Sequence, residues 1–131
     1  MEYLVGFLLA LSIGFGATLI GFDRDRAFYP TVMVVIALLY GLFAMLGNSL
    51  HALAAEAIPM AVFLAAAVVG FKRSLWVVAA ALAGHGVFDL LHRHWIDNPG
   101  VPAWWPGFCS SYDIMAAAYL AWMLARGRRK P

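Results

Sequence analysis

Charge is what this sequence has least of: Asp, Glu, Lys and Arg make up 12% of its 131 residues, against ~25% in ordinary soluble domains. A soluble chain of this size keeps about a third of its unfolded surface in water after folding. Seven acids, nine bases and four histidines are too few to cover it. Cysteine is scarcer still. Cys109 stands alone, which is expected to exclude an intramolecular disulfide framework and any Cys-based zinc motif. Basic charge is also low, and a net charge of +2 offers no broad surface for nucleic acid. Internal repeats and low-complexity linkers are absent, so the chain reads as one domain spanning residues 1–131. What remains is 64% hydrophobic, the composition of a chain that lives in a bilayer.

Apolar runs of about 20 residues, the length that spans a bilayer, occur at 2–22, 28–47, 50–71, 74–95 and 110–125. They predict an all-α, polytopic membrane protein with five transmembrane helices in one bundle. The first run is too long for a cleavable signal h-region, so the first helix is expected to act as the insertion signal. Connections between the first four runs are very short, which predicts that consecutive helices are antiparallel neighbours. The one substantial loop, 97–109, contains Pro99, Gly100, Pro102, Trp104, Trp105, Pro106 and Gly107. It reads as an interfacial anchor, or as a lid over whatever polar site lies beneath it.

Arg24, Arg26, Lys72, Arg73, Arg126, Arg128, Arg129 and Lys130 all fall on one side of such a bundle, leaving only Arg93 on the other. By the positive-inside rule the N-terminus is expected outside and the C-terminus in the cytoplasm, in a cell membrane of the bacterial inner-membrane kind. Trp76 and Tyr29 then fall near the inner interface, and Tyr3, Trp95, Trp104 and Trp105 near the outer one, as an aromatic belt requires. Gly14, Gly16 and Thr18, with Ala116, Ala117 and Ala118, read as close-packing positions.

With depth assigned, the ionisable residues inside the spans concentrate in the outer half. His85, Asp89 and His92 lie within an arc of about 60° on the fourth helix, while His94 points the other way. Gly84 and Gly86 would let a neighbouring helix approach that face. Ionisable groups in a membrane face a bundle interior or a water-filled cavity and mark function by default. Three such groups on one face predict a divalent metal site, with His85, Asp89 and His92 as ligands and zinc or iron as the metal. The rise of about 10.5 Å from His85 to His92 makes it strained for both to bind one ion, so one of them is expected to support the other. Glu56 and Asp113 are candidate catalytic groups that would orient water or act as general base. Glu56 is about 140° from His51, and a distortion at Pro59 is expected to aim it inward. Ser110 or Ser111 is expected to cap the fifth helix. Cys109 as a nucleophile would need His92 or His94 beside it as base.

Four functions remain open to these residues. A metal-dependent hydrolase or oxidoreductase would act on a lipid or other amphiphile, zinc lowering the pKa of a bound water to about 7. A metal-ion or proton transporter or channel subunit would need a polar path onward, and the inner halves are almost purely apolar. A haem or quinone binder would use His51 with a histidine of the fourth helix. In a non-catalytic assembly protein the same groups would simply pair, as Glu56–His85 or Asp113–His92. Expected partners are membrane lipids and a second copy of the chain, because five helices enclose little volume.

Overall fold

The structure is a computed structural model describing residues 1–131, and it contains helices and no strand. Helix α1 spans Glu2–Ile20, α2 Phe28–Leu46, α3 Leu50–Lys72, α4 Leu75–Trp95 and α5 Trp105–Ala125, with a 3₁₀ turn at Phe22–Arg24. All five α-helices are long and apolar enough to cross a membrane.

Local chemistry sets the ends. Gly21, at φ 96°, closes α1 in the left-handed conformation that glycine adopts without a Cβ clash. Ser49 and Ser74 cap α3 and α4, their side chains accepting from the backbone N–H of Ala52 and Trp76. Helix α5 begins five residues before the expected start at Ser110. Pro106, which reads as a breaker in the sequence, lies in the first turn of α5, where a missing N–H costs nothing. The loop is correspondingly shorter, and Ser110 and Ser111 do not cap. Their hydroxyls donate to the carbonyls of Gly107 and Phe108 within the helix.

Polarity runs inside out. Leu4, Leu8, Leu19, Leu42, Ile58, Val62 and Leu90 are exposed, while Glu56, His85, Asp89, His92 and Asp113 are buried. Hydrocarbon is the surrounding that suits such an exterior, because an apolar surface of that extent is not left in water.

The expectation that consecutive helices pack as neighbours fails at α1. Helix α1 docks on α5, α5 on α4, α4 on α3, and α3 on α2, which also touches α4; α1 and α2 stay apart along most of their length. Glycines explain the choice. A Cβ on Gly6 would come within 2.1 Å of Ser111 Oγ and 2.2 Å of the Phe108 carbonyl, so α1 and α5 meet at backbone distance. Gly14 packs on Tyr119, whereas Gly16 and Ala118 face outward. Between the separated α1 and α2 lies a cleft of about 740 Å³ with α5 as its third wall.

One end of the bundle collects the basic segments. Arg26 donates to the carbonyls of Phe71 and Gly70. Arg129 pairs with Asp23, which also accepts from Thr18. The opposite end is covered by the 96–104 loop. Gly100 lies so close to α2 that a Cβ there would meet the Phe43 carbonyl at 1.7 Å.

Candidate metal centre

Moving the start of α5 to Trp105 makes Cys109 and Asp113 an i, i+4 pair on one helix face. His85 and Asp89 are the same kind of pair on α4. The two faces meet because Gly86 permits it: a Cβ there would lie 2.6 Å from Ile114 Cγ1 and 3.1 Å from the Ser110 carbonyl. Gly84 has open space beside it and plays no such part. One ligand atom from each of His85, Asp89, Cys109 and Asp113 then lies within 4.8 Å of every other, and all four residues are buried.

The distances suit a chelate. Tetrahedral zinc with bonds of about 2.0–2.3 Å holds its ligands about 3.3–3.8 Å apart. Cys109 Sγ is 3.6 Å from Asp113 Oδ2, and His85 Nδ1 is 3.4 Å from Asp89 Oδ1. The 2.8 Å hydrogen bond between His85 Nδ1 and Asp113 Oδ2 is shorter than that range and would lengthen on chelation. Asp89 Oδ2 is buried without any partner, and an orphan carboxylate oxygen in a dry core is costly. Two carboxyl groups and a thiol can be buried together only with protons or a cation to balance their charge.

A second polar group lies beside the first. His92 Nε2 is 2.5 Å from Glu56 Oε2, and the Asn98 amide donates to that oxygen at 2.8 Å and to the Tyr40 carbonyl at 3.0 Å. Tyr40 joins the groups: its ring stacks on His92 at 3.9 Å, and its hydroxyl donates to Asp89 Oδ1 at 2.7 Å. Glu56 Oε1 has no partner. The void between Glu56 and His85 is too small for a water molecule.

Of the five residues singled out from the sequence, His85, Asp89 and Asp113 come together. His92 and Glu56 pair with each other outside that group. Glu56 is fully buried with Pro59 inside a continuous α3, while His51 is exposed on the same helix and faces no histidine of α4. Trp104 is exposed, whereas Trp105 is buried against Phe43 and Tyr29 is buried beside Phe28.

Cys109, Tyr40 and Asn98 join the polar groups without having been picked out for them. Cys109 carried a signal, its spacing of four from Asp113, which needed the correct helix start to become visible. Tyr40 reads as an ordinary apolar-helix aromatic, and Asn98 as a turn residue before Pro99 and Gly100. Toward the basic end the core is apolar, with Met33, Val78, Leu82 and Leu120 fully buried between this site and the Thr18–Asp23–Tyr119 group. No protein family, curated protein or solved structure matches this chain.

Proposed function

We propose that the chain is a membrane metalloprotein whose α4–α5 seam holds a divalent cation through His85, Asp89, Asp113 and Cys109, and that this centre acts on an amphiphile drawn from the bilayer. The observation that carries the reading is the convergence of the four buried donors on one point, with Asp89 Oδ2 left unpaired. One imidazole, one thiolate and two carboxylates favour zinc; iron oxygenases use two histidines and one carboxylate, and this group has a single histidine. Hydrolysis of an ester or amide is therefore the better fit than oxidation.

Catalysis also needs an open coordination position, which four protein ligands would close. Cys109 borders the cleft between α1 and α2, so its departure from the metal would open a position toward the membrane. Asp113 could then stay on the metal or accept a proton from water. Glu56 and His92, linked through Tyr40, would hold Asp89 in place. The apolar core below the site disfavours a transport path. By the distribution of bases the site lies in the outer half of the membrane.

The test is elemental analysis of protein purified into nanodiscs without chelator. Wild type should carry stoichiometric zinc, Asp89→Asn/Asp113→Asn should lose it, and His92→Gln should keep it. Metal-free wild type, or a double variant that retains the metal, would overturn the proposal and leave the four groups as helix-pairing contacts. Release of a fluorogenic acyl ester by the zinc-loaded protein then separates catalysis from binding alone.

A further inference from the structure

The basic end of the bundle takes no part in the metal centre, yet its charges are built into one place. The turn after α5 is the reason. Gly127 sits at φ 69°, in the left-handed conformation. Its N–H donates to the Leu124 carbonyl, and that of Arg128 donates to the Met123 carbonyl. This pair of bonds is the Schellman turn, which ends a helix and turns the chain away. Residues 128–131 are thereby folded back beneath the helices. There the Pro131 main-chain oxygen accepts from the Leu75 N–H at 2.8 Å and from the Arg26 guanidinium. Arg128, Arg129 and Lys130 come to face Arg24 and Arg26 from the α1–α2 connection, and with Asp23 and Leu75 they line a single cavity of about 420 Å³.

Five bases and one acid face that cavity, and two of the bases are already committed. Arg129 holds Asp23, its Nε donating to Oδ1 at 3.1 Å. All three guanidinium nitrogens of Arg26 donate to main-chain oxygens, those of Phe71, Pro131 and Gly70. Arg24, Arg128 and Lys130 pair with no carboxylate. Like charges around one space repel, and an anion placed among them removes the repulsion. Guanidinium forks and a lysine ammonium are the donors that suit phosphate oxygens.

The surroundings select the source of the phosphate. Arg128 lies over the ring of Trp122, 5.0 Å from its centroid, and that ring is exposed on the flank of α5. Tryptophan beside a cation is the pairing found where headgroups meet hydrocarbon. Arg128 and Arg129 also border the adjoining cavity on the α1–α5 flank, which Phe15 and Trp122 help to wall. Apolar, membrane-facing surface therefore begins next to the unpaired cations.

We propose that this cavity binds the phosphate of one anionic phospholipid from the leaflet on the basic side, held by Arg24, Arg128 and Lys130. A zwitterionic headgroup would bring its own cation among three that already lack partners. The site is separate from the metal centre, with the apolar core between them, and neither reading depends on the other.

The test titrates full-length protein in detergent micelles with phosphatidylglycerol and phosphatidylcholine of identical acyl chains, counting bound lipids by native mass spectrometry. Wild type should retain one phosphatidylglycerol in preference to phosphatidylcholine. Arg24→Gln/Arg128→Gln/Lys130→Gln should lose affinity for phosphatidylglycerol by about fivefold for each cation removed, with phosphatidylcholine retention and the unfolding midpoint unchanged. Lys72→Gln/Arg73→Gln/Arg126→Gln removes as many charges from the same end but none from the cavity wall, and it should bind as wild type does. Equal losses in the two triple variants would overturn the proposal and show diffuse attraction to the basic end. Equal retention of the two lipids by wild type would overturn it as well. Inorganic phosphate that binds the lipid-free protein and displaces phosphatidylglycerol would assign the cavity to free phosphate and overturn the lipid source. Zinc content should be the same in all three proteins, so failure here leaves the metal reading untouched.

Discussion

The two polar groups at the loop end use the same side-chain types and reach opposite outcomes. In the α4–α5 group, four donors from two helices crowd around one point, and Asp89 Oδ2 is left over. In the α3–α4 group, His92 is committed to Glu56, and Asn98 from the loop satisfies the same Glu56 oxygen. The first can chelate, because its donors converge. The second ties α3, α4 and the loop together, because its donors pair off. Backbone approach makes the difference: Gly86 brings α4 against α5 beside the four donors, whereas the glycine at which α3 closes on α4, Gly70, meets Val78, far along the helix from His92.

Substitutions can break or sharpen that contrast. The largest effect is expected from Glu56→Ala, which strands His92 and Asn98 in the core. Leaving buried hydrogen-bonding groups unsatisfied costs about 1–3 kcal/mol each, so the unfolding midpoint in detergent should fall markedly while zinc stoichiometry in the folded fraction is kept. Loss of zinc together with stability would show that the two groups are one site.

Next comes Asp113→Ala, which removes a donor of the convergent group. Zinc affinity measured against a chromophoric chelator should drop by more than the ~10–100-fold that loss of an outer partner costs. An equal drop in His92→Ala would erase the distinction.

Tyr40→Phe keeps the ring that stacks on His92 and deletes the hydroxyl on Asp89. A loss of about tenfold in zinc affinity, with stability changed by no more than about 1 kcal/mol, would identify Tyr40 as the positioning link. The smallest effect is expected from Asn98→Ala, about 1 kcal/mol. Faster amide exchange confined to the 96–104 loop would report it, and unchanged exchange would mean that Asn98 does not hold the loop.

Much of the fold was legible from hydrophobicity alone. Four of the five helices begin and end within two residues of their apolar runs, since a span needs about 20 residues whatever its neighbours. The exception, α5, shows the limit: Trp104, Trp105 and Pro106 carry interface and breaker signals, yet helix geometry tolerates proline in its first turn. One of the four donors, Cys109, was hidden by that misplacement. His85 and Asp89 share a helix and could be read as a pair, but Cys109 and Asp113 become one only when the helix extends over both. Pairing of His92 with Glu56 and of His85 with Asp113 depends on which helices touch, and periodicity within a single helix carries no such information.

By itself, then, the sequence determined that five apolar helices house a few buried acids and histidines, and that bases gather at one end. Scarcity of charge and the length of a span are properties of composition, and they survive any arrangement of the helices. Only the tertiary structure decided that α1 leaves its neighbour α2 to dock on α5. It also decided that Cys109 belongs with His85, Asp89 and Asp113, and that a cleft remains where α1 and α2 part. Those outcomes follow from where Gly6 and Gly86 let two backbones approach, a long-range fit between surfaces that no local pattern encodes.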